Sequence, residues 1–435
     1  DDTDSRNSVC TTYLACVLLS RFNEENIDII GFPRLVRLNP NIPWKTRGNG
    51  AISIQIGRGI GSKKKIGKFK EKDIFCFQKK KKDDFNKKDI EEIIFIVESI
   101  IKKYARLGEV NTNSGFVLFS KKPSRDRYID AVQNVLSVDD IIDFLDEKAV
   151  FYKGYNNKRG LIGASSSVAW VNNFDRTYEL ITYRLKDKWG TKRFVDDKTT
   201  KMIDEKFSST FDNYDIKNNH NRIVPSSPCP VLYGLRGDEY EDLIKAKLLV
   251  KSEEIDGWII FESNQGTDDH LKRKNIDEIK SYDSVIIKGN VSKKPSTIRG
   301  GHVIFSIKDD KSSVDCAAYE PTKEFRDIIR ELIAGDLVEV YGGIREKPIT
   351  VNIEKIKILN LIEKIEKVEN PICPKCGKHM KSIGKNEGFR CKKCGTKEKK
   401  PIIKKIKRKI NNGFYEVPVC ARRHLSKPLK RVKQP

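Results

Sequence analysis

The first 145 residues alternate between helix-like and strand-like patterns of apolar positions. The apolar run YLACVLLSRF predicts a helix that begins near residues 9–12, and DIEEIIFIVESIIKKYARLG predicts a longer helix that ends at Gly108. Residues 51–57 (AISIQIG) alternate in the way that a strand does. The Lys-rich residues 63–88 predict an elaborated loop or an edge hairpin. We therefore predict an α/β domain over residues 1–145.

A second domain is predicted for residues 150–275. It begins with the glycine-rich stretch YNNKRGLIGASSSVAW and continues into the strand-like YELITYRL. Further along, PSSPCPVLYGLRGDEYEDLIKAKLLV predicts a proline-rich approach, a strand and then a helix. This order is typical of a mixed α+β domain.

Residues 280–362 show the clearest pattern. The segments SVIIKGNVSKK, GHVIFSIKD and SSVDCAAYE predict three strands, KEFRDIIRELIA predicts a helix, and DLVEVYGGIRE and ITVNIEKIKIL predict two further strands. Three strands, a helix and two strands over about 80 residues are the order of an OB-fold barrel. OB-folds commonly bind single-stranded nucleic acid or structured RNA. An unrelated small barrel is the alternative.

The last predicted domain, residues 370–435, contains two CxxCG turns separated by 14 residues. Their thiols are Cys373, Cys376, Cys391 and Cys394. Two such turns joined by a short hairpin complete a tetrahedral thiolate site, so this spacing predicts a zinc ribbon. Four protein ligands leave no open coordination position, which makes the Zn²⁺ structural rather than catalytic. Cys420 and His424 lie downstream and are alternative ligands, although ordinary surface positions suit them better.

Charge changes the picture mainly at the end of the chain. The net charge is +24, and residues 371–435 hold 21 Lys or Arg residues against 3 Asp or Glu residues. A basic surface of this density favours a polyanion, since each neutralised phosphate releases counterions. A solubilising tail, or the Lys-rich codon bias of an AT-rich genome, would look similar. No apolar stretch approaches the ~20 residues that span a bilayer, and the scattered remaining cysteines fit a reducing cytoplasm.

Candidate chemistry begins with DDTDS at the start of the chain. Asp1, Asp2 and Asp4 precede the first helix, whose free backbone amides and positive dipole end suit phosphate. Together with Mg²⁺ they would form a phosphate-transfer site, because closely spaced carboxylates can share a divalent cation. Acids that only cap the helix are the equal alternative. The chain has no GxxxxGK[ST] motif, which argues against a P-loop enzyme.

Two glycine-containing loops are further candidates. In WKTRGNGA, Arg47 could reach a phosphate while Gly48 lets the backbone approach it, although a hairpin turn looks the same. The loop SNQGTDDH could form a polar pocket, but its residues are also ordinary loop formers. We expect His270 at its end to be structural or exposed rather than catalytic.

These motifs together resemble the archaeal 2-agmatinylcytidine synthetases that modify isoleucine tRNA. The resemblance covers DDTDS with CTTYLA, WKTRGNGA, RGLIGA, PCPVLYGLRGD and SNQGTDDH, followed by the OB-fold and zinc ribbon, in the same order over essentially the whole chain. The family has a short strand before DDTDS, so we expect that this chain is truncated there. Such a truncation would leave tRNA binding intact and weaken catalysis. The Lys-rich residues 63–88 have no clear match.

The resemblance implies a multidomain α+β enzyme with a kinase-like domain, a ferredoxin-like domain, an OB-fold barrel and a zinc ribbon. It implies that ATP and Mg²⁺ are used to phosphorylate the 2-carbonyl oxygen of the wobble cytidine in isoleucine tRNA with a CAU anticodon. The primary amine of agmatine then displaces the phosphate to give agmatidine, which pairs with adenosine and allows AUA decoding. The target base must be flipped from its stack to reach the site. No membrane and no obligate protein partner are implied.

The resemblance also assigns roles to individual residues. Asp1, Asp2 and Asp4 match metal- and ATP-binding acids, and Thr11 matches a threonine that is autophosphorylated, with Thr12 as the alternative. The remaining ATP-site and catalytic matches are Ser5, Arg47, Gly48 and Asn49.

Agmatine is a dication, so its pocket should present carboxylates and carbonyl groups. The candidates for this pocket are Asp238, Glu239, Asp242, Asp268 and Asp269. The first three would equally decorate a helix N-terminus. The competing hypothesis for the whole chain is a non-enzymatic protein that binds single-stranded RNA or DNA through its OB-fold and zinc ribbon.

Overall fold

The computed structural model describes residues 1–5, 9–45, 48–82, 85–384 and 387–432. The first part of the chain mixes helices and short strands around a long hairpin. Its elements are α1 (Thr11–Glu24), β1 (Asp28–Ile29), β2 (Arg34–Arg37), β3 (Gly50–Ser53), β4 (Ile56–Gly57), β5 (Gly59–Phe69), β6 (Lys72–Lys80), α2 (Lys87–Tyr104), β7 (Gly115–Leu118), α3 (Asp126–Gln133), α4 (Val138–Lys148) and β8 (Phe151–Gly154).

The second part of the chain alternates helices with longer, buried strands. Its elements are α5 (Gly160–Ala169), β9 (Thr177–Arg184), α6 (Asp197–Lys201), α7 (Ile203–Lys206), β10 (Tyr214–Asp215), β11 (His220–Asn221), β12 (Val231–Gly237), α8 (Tyr240–Leu249) and β13 (Ile255–Ser263). Every residue of β9 is buried, and its two charged side chains, Glu179 and Arg184, are paired with Arg37 and Glu253.

The third and fourth parts are mostly β-structure. Their elements are β14 (Lys272–Arg273), β15 (Ser284–Thr297), β16 (Val303–Lys308), β17 (Ser313–Ala318), α9 (Phe325–Arg330), β18 (Leu337–Arg345), β19 (Thr350–Asn360), β20 (Lys364–Glu369), β21 (Lys381–Gly384), β22 (Gly388–Arg390), β23 (Lys397–Glu398), β24 (Ile402–Ile406) and β25 (Gly413–Glu416). Short 3₁₀ turns lie at Lys186–Lys188, Ile276–Glu278, Glu320–Thr322, Val419–Ala421 and Leu429–Arg431.

The two predicted helices at the start of the chain are present with adjusted ends. α1 begins at Thr11, as its apolar run predicts. α2 has a capping box, in which the Asn86 side chain accepts from the Asp89 amide while the Asp89 carboxylate accepts from the Asn86 amide. α2 ends at Tyr104 rather than at the predicted Gly108, because Ala105 is already extended. The predicted strand at 51–57 is divided between β3 and β4.

One sheet joins the first two parts of the chain. Its strand order is β12-β9-β13-β2-β3, and β5 pairs with both β13 and β6. The sheet therefore takes strands from both sides of residues 145–150, where the sequence predicts a domain boundary. The Lys-rich residues contribute to the β5–β6 hairpin, which was one of the two predicted alternatives. β5 lies so close to β13 that a side chain on Gly67 would overlap the backbone oxygen of Trp258.

The third part is a closed barrel. Its strands follow the order β15-β16-β17-β19-β18, and β18 pairs back with β15 to close it. This is the strand order that the predicted OB-fold requires. Its helix α9 is shorter than the predicted 323–334, because the chain turns at residues 331–336, where Asp336 accepts from the Ile333 amide.

The chain returns to this barrel after the cysteine-rich segment. β21, β22 and β23 form the small sheet of that segment, and β20 pairs with β24 beside it. β25 then pairs antiparallel with β19 of the barrel. Among the described residues, no helix is both long and apolar enough to cross a membrane.

Candidate active site

The acidic segment at the start of the chain lies beside residues 112–115. The Gly115 amide donates to the Asp1 carbonyl oxygen at 3.1 Å, the Ser114 hydroxyl donates to the Asp2 carbonyl at 3.3 Å, and the Thr112 hydroxyl donates to the Asp4 carbonyl at 2.9 Å. Residues 112–115 are fully or almost fully buried. The backbone of the acidic segment is therefore held by a stretch of chain a hundred residues away.

Asp4 caps the first helix. Its Oδ1 accepts the Thr11 backbone amide at 2.6 Å and the Thr11 hydroxyl at 3.0 Å. The Thr3 hydroxyl donates to the Thr11 oxygen at 3.1 Å. Thr12 points elsewhere, because its Oγ1 lies 3.3 Å from the Cys10 sulfur and its carbonyl accepts the Tyr183 hydroxyl. Asp4 therefore binds the free amide at the start of α1, as the helix-capping interpretation expects, and the alternative of a metal site stays a prediction.

Asp2 faces a second helix start. The Arg159 guanidinium, which comes directly before α5, lies 4.0 Å from the Asp2 carboxylate. Burial raises the pKa of Asp2 above its ordinary value, while Arg159 and a hydrogen bond from Asn113 oppose that increase. Asp2 also has a positive φ of 52°, a backbone conformation that few side chains adopt without support from their surroundings. The carboxylate is therefore held, partly buried, near a cation.

Two glycines of α5 allow this close approach. A Cβ atom on Gly163 would overlap the Asp1 carboxylate, and one on Gly160 would overlap the backbone nitrogen of Gly115. The motif RGLIGA therefore serves packing against the acids. The sequence alone assigned no role to Arg159 or to either glycine. The i, i+3 spacing of the glycines could have indicated a helix face that packs closely against another segment.

The loop between β2 and β3 forms the opposite wall. Trp44 contacts Arg159, whose guanidinium carbon lies 5.9 Å from the indole ring centre. Asn49 has a φ of 49°, and its side-chain amide donates to the Asn39 carbonyl at 2.8 Å. A Cβ on Gly48 would lie 2.8 Å from the Arg37 guanidinium. The predicted phosphate ligand Arg47 lies outside the described residues.

These elements surround one open pocket of about 730 Å³. Its lining includes Asp1, Asp2, Asp4, Thr11, Asn39, Trp44, Lys45, Asn49, Arg159 and Gly163. Ser5 is buried, and its amide donates to the Val9 carbonyl. Neither Ser5 nor Thr12 is among the lining residues. Asp1 and Thr11 also border a neighbouring, mostly aliphatic cavity between α1, α2 and β3.

The five acids predicted for agmatine lie away from this pocket, in two groups. At the start of α8, Asp238 forms an ion pair with Arg431 at 2.8 Å. Asp242 accepts the Ser209 hydroxyl at 2.8 Å, a bond that is the main reason why the pKa of Asp242 is lowered. Glu239 is exposed.

The second group is bound to donors of the chain itself. Asp268 accepts the Lys427 amide at 2.7 Å and also pairs with Lys355. Asp269 accepts the Tyr128 hydroxyl at 2.7 Å, and burial raises its pKa.

His270 belongs to a buried contact between the second domain and the barrel. It is fully buried, and its Nε2 lies 3.1 Å from the Glu354 carboxylate. Burial disfavours the ionised Glu354, yet the charges of His270, Arg423 and Lys355 hold its pKa at about 2. This environment agrees with the structural role expected for His270.

The four predicted zinc ligands come together. One sulfur from each of Cys373, Cys376, Cys391 and Cys394 lies within 4.8 Å of the others. The pairs 373–394 and 376–391 are 3.3 and 3.4 Å apart. Zn–S bonds of ~2.3 Å in a tetrahedron place sulfurs about 3.8 Å apart, so the donor set fits Zn²⁺. Cys420 and His424 are not part of this group.

Comparisons with known protein families match four successive parts of the chain. Residues 1–157 match the TiaS TCKD domain, 158–270 the TiaS FLD domain, 274–359 an OB-fold nucleic acid binding domain and 370–410 the TiaS C-terminal zinc ribbon domain.

Curated relatives and solved structures match over nearly the full length. The isoleucine tRNA 2-agmatinylcytidine synthetases TiaS of Archaeoglobus fulgidus and Methanocaldococcus jannaschii are each 41% identical over 99% of this chain and 96% and 97% of theirs. The crystal structure of TiaS in complex with isoleucine tRNA and ATP covers 100% of this chain and 96% of its own, at 39% identity and a TM-score of 0.84. A complex of TiaS with isoleucine tRNA, AMPCPP and agmatine gives 37% identity, the same coverage and a TM-score of 0.81.

Proposed function

Because this chain belongs to the family of isoleucine tRNA 2-agmatinylcytidine synthetases, we propose that it joins agmatine to a cytidine of isoleucine tRNA in an ATP-dependent reaction. The observation that carries this proposal is one pocket lined by the N-terminal aspartates, by Thr11 at the start of α1 and by Arg159 at the start of α5. This pocket lies in a chain that matches the synthetases over 99% of its length. A non-enzymatic RNA-binding protein is not favoured, since its relatives are synthetases. Isoleucine tRNA, ATP and agmatine are therefore the partners of this chain.

The reaction in the pocket is proposed to proceed in two steps. We propose that a phosphoryl group passes from ATP to the 2-carbonyl oxygen of the cytosine, which turns a poor electrophile into one with a leaving group. The primary amine of agmatine then attacks C2, the C–O bond breaks, phosphate leaves and the amine loses a proton. The neighbouring aliphatic cavity suits a planar base that must leave its stack to reach the phosphate.

The residues of the pocket have distinct roles in this proposal. The amides at the start of α1 and the Arg159 guanidinium before α5 supply positive potential for the phosphates. The Thr11 hydroxyl, held by Asp4 and Thr3, is the proposed acceptor of a phosphoryl group. Gly48 and Asn49 form part of the loop near the phosphates, and Arg47 remains proposed there from the sequence.

We propose that Mg²⁺ binds on the same wall. Asp1, Asp2 and Asp4 line the pocket, although the only metal-binding group among the described residues is the four-cysteine one, so the three carboxylates would have to move closer together to share a cation. Burial of Asp2 disfavours its negative charge, which a bound cation would stabilise alongside Arg159, the N-terminal ammonium and Asn113. Mg²⁺ held by these acids would neutralise phosphate charge.

Agmatine is proposed to contact acids at the start of α8. Among the five candidates, Glu239 is exposed and the side chain of Asp238 is 40% exposed, so these two are the most accessible to a dication. Asp238 is also paired with Arg431, but the side chains of Asp242 and Asp268 are only 25% and 24% exposed. Asp242, Asp268 and Asp269 therefore remain weaker proposals, since each binds a donor of the chain and is less accessible.

The domains divide the task in this proposal. Residues 1–145 act as a kinase-like unit, 150–275 as a ferredoxin-like agmatine unit, 280–362 as the OB-fold and 370–435 as the zinc ribbon with its basic extension. The OB-fold and the zinc ribbon itself hold the tRNA. The substrate is proposed to be the CAU-anticodon tRNA, whose product reads AUA. We place the reaction in the cytoplasm, where free thiols persist.

The direct test is transfer of label from radioactive agmatine into a transcript of the CAU-anticodon isoleucine tRNA with ATP and Mg²⁺. We expect label in the tRNA, and no label when the wobble cytidine is replaced by uridine. Asp2→Ala should abolish nucleotide turnover and leave the dissociation constant for tRNA within about twofold. Asp139→Asn, which changes an exposed acid on α4, is the matched control. Folded wild-type protein that transfers no label would refute the proposal.

A further inference from the structure

The described residues that follow the zinc ribbon do not extend from it as a free basic tail. After β25 pairs with the barrel, residues 417–432, here called the C-terminal strap, run back across the second domain to the candidate active site. The amides of Gly266 and Asp268 donate to the carbonyls of His424 and Leu425 at 2.8 and 2.9 Å. The strap is therefore part of the folded body, although the sequence placed it in a nucleic-acid-binding extension.

The strap is anchored by a buried leucine. Leu425 is 1% exposed and belongs to a core cluster with Val36, Leu38 and Ala51. These three residues lie at the two ends of the β2–β3 loop, which forms one wall of the candidate active site. The side chain of Leu425 thus packs beneath the base of that loop.

Arg423 connects the strap to the same loop. Its Nη1 donates to the Asn41 side-chain oxygen at 2.5 Å and lies 3.4 Å from the Glu354 carboxylate. The Asn41 amide in turn donates to the Asp283 carbonyl at 2.8 Å and to the Ser284 hydroxyl at 2.9 Å. Arg423 and Asn41 therefore join the loop, the barrel and the strap.

His424 touches the loop at its other end. A Cβ on Gly48 would lie 3.5 Å from the His424 ring, which is an ordinary van der Waals distance, so the two segments are in contact. Burial and the charge of Arg37 lower the pKa of His424 well below its ordinary value, which leaves a neutral ring against the loop. The strap thus contacts both described halves of the loop, on either side of residues 46–47.

The arginines of the strap are already bound to acids of this chain. Arg422 pairs with Glu416 at 2.6 Å and with Asp212, and Arg431 pairs with Asp175 and Asp238, both at 2.8 Å. Their side chains are only 5% and 7% exposed. A segment used to bind RNA phosphates would present its guanidinium groups to solvent, so the strap is better suited to an internal role.

We propose that the C-terminal strap holds the β2–β3 loop in the geometry that binds ATP, and that Arg423 is its main positioning residue. Arg423 would act through Asn41 and not touch the nucleotide. This inference rests on the proposed function insofar as the loop is taken to bind ATP. It assigns to the far end of the chain a role in nucleotide binding, separate from tRNA binding by the OB-fold and zinc ribbon.

The test measures two affinities on full-length variants. The dissociation constant for ATP is measured by calorimetry without tRNA, and that for an isoleucine tRNA transcript by filter binding at one fixed salt concentration. The variants are Arg423→Ala, Arg423→Lys, Asn41→Ala and the double variant with both alanines. Lys430→Ala is the matched control, since it removes one exposed positive charge of the strap that donates to the Thr210 carbonyl rather than to the β2–β3 loop.

Arg423→Ala should weaken ATP binding about tenfold, the size of one charge-assisted hydrogen bond, and leave tRNA affinity within about twofold. Arg423→Lys should recover part of the loss. The double variant should lose less ATP affinity than the sum of the two single changes, because the Arg423–Asn41 contact is broken in both. Lys430→Ala should bind ATP as the wild type does.

Unchanged ATP affinity in Arg423→Ala overturns the proposal, whether or not tRNA binding weakens. If circular dichroism shows that Arg423→Ala is unfolded, Arg423→Lys and Asn41→Ala decide the question in the same way. Failure of the proposed function would look different, as wild-type protein that binds ATP and transfers no agmatine.

Discussion

Substitution of Gly163 by alanine should affect the stability of α5 and the position of the Asp1 carboxylate in different ways. Alanine at Gly163 would improve helix propensity by about 1 kcal/mol. Its methyl group would lie 3.1 Å from Leu38 Cδ1, which requires only a small shift, but it would also overlap the Asp1 carboxylate. That carboxylate is the end of a rotatable side chain, and moving it off its preferred rotamer costs about 1 kcal/mol. The two terms cancel, so the protein should remain folded.

Activity should respond very differently from stability. A catalytic group displaced by ~1 Å can lose about 100-fold in rate, so Gly163→Ala should reduce agmatine transfer by about that factor while the melting temperature changes by only a few degrees. Transfer of label into tRNA and thermal unfolding by circular dichroism measure the two quantities on the same sample.

Gly160→Ala provides the contrast within the same helix. Its Cβ would overlap the backbone nitrogen of Gly115 and lie 2.7 Å from the Asn113 carbonyl oxygen, and backbone cannot rotate away. Gly160→Ala should therefore destabilise the first domain by about 1–3 kcal/mol. If Gly163→Ala transfers agmatine at the wild-type rate, the position of the Asp1 carboxylate is not part of the catalytic arrangement and the reasoning is wrong.

Three further predictions concern the same machinery. In the proposed mechanism the ionised form of Asp2 is the active one, and burial raises the pKa of Asp2, so kcat/KM for ATP should fall toward acid pH. Arg159→Gln removes a charge that opposes this increase in pKa and should move the acid limb of the pH profile to higher pH. Thr11→Val should abolish incorporation of phosphate into the protein, detected by mass spectrometry, whereas Thr12→Val should retain it because only Thr11 lines the pocket. We expect metal analysis to find one zinc per chain in the wild type and none in Cys376→Ser. Cys376→Ser should also weaken tRNA binding at least several-fold, with ATP affinity unchanged.

The zinc ribbon was predicted from the spacing of its cysteines, and the barrel from the patterns of its strands. Two CxxCG turns need only a short hairpin between them to bring four sulfurs together, and the described structure has that arrangement. The barrel strands were predicted because each is long and regularly patterned. Three of their pairings join neighbours in sequence, whereas the pairings of β17 with β19 and of β15 with β18 were expected only from the known strand order of an OB-fold.

The first two domains were less predictable because their sheet is assembled from distant segments. β13 pairs with β9, β2 and β5, which lie about 80 to 230 residues before it, and nothing in the strand patterns specifies these partners. The predicted agmatine acids illustrate the same difficulty. Asp268 and Asp269 look available in the sequence, but the fold places Lys427 and Tyr128 against them.

The sequence by itself determined the types of residue available for chemistry: acids before a helix, a glycine-containing loop, an OB-fold and four thiolates. Tertiary structure decided what those residues do. Asp1, Asp2 and Asp4 all line the pocket, and Asp4 also accepts the first amide of α1, because residues 112–115 and the glycines of α5 fix the acidic backbone. The described basic residues 417–432 form the C-terminal strap, because burial of Leu425 in the core cluster with Val36, Leu38 and Ala51 has a lower free energy than its exposure to water. Burial and charge pairing over such sequence distances depend on the whole fold, so no local pattern encodes them.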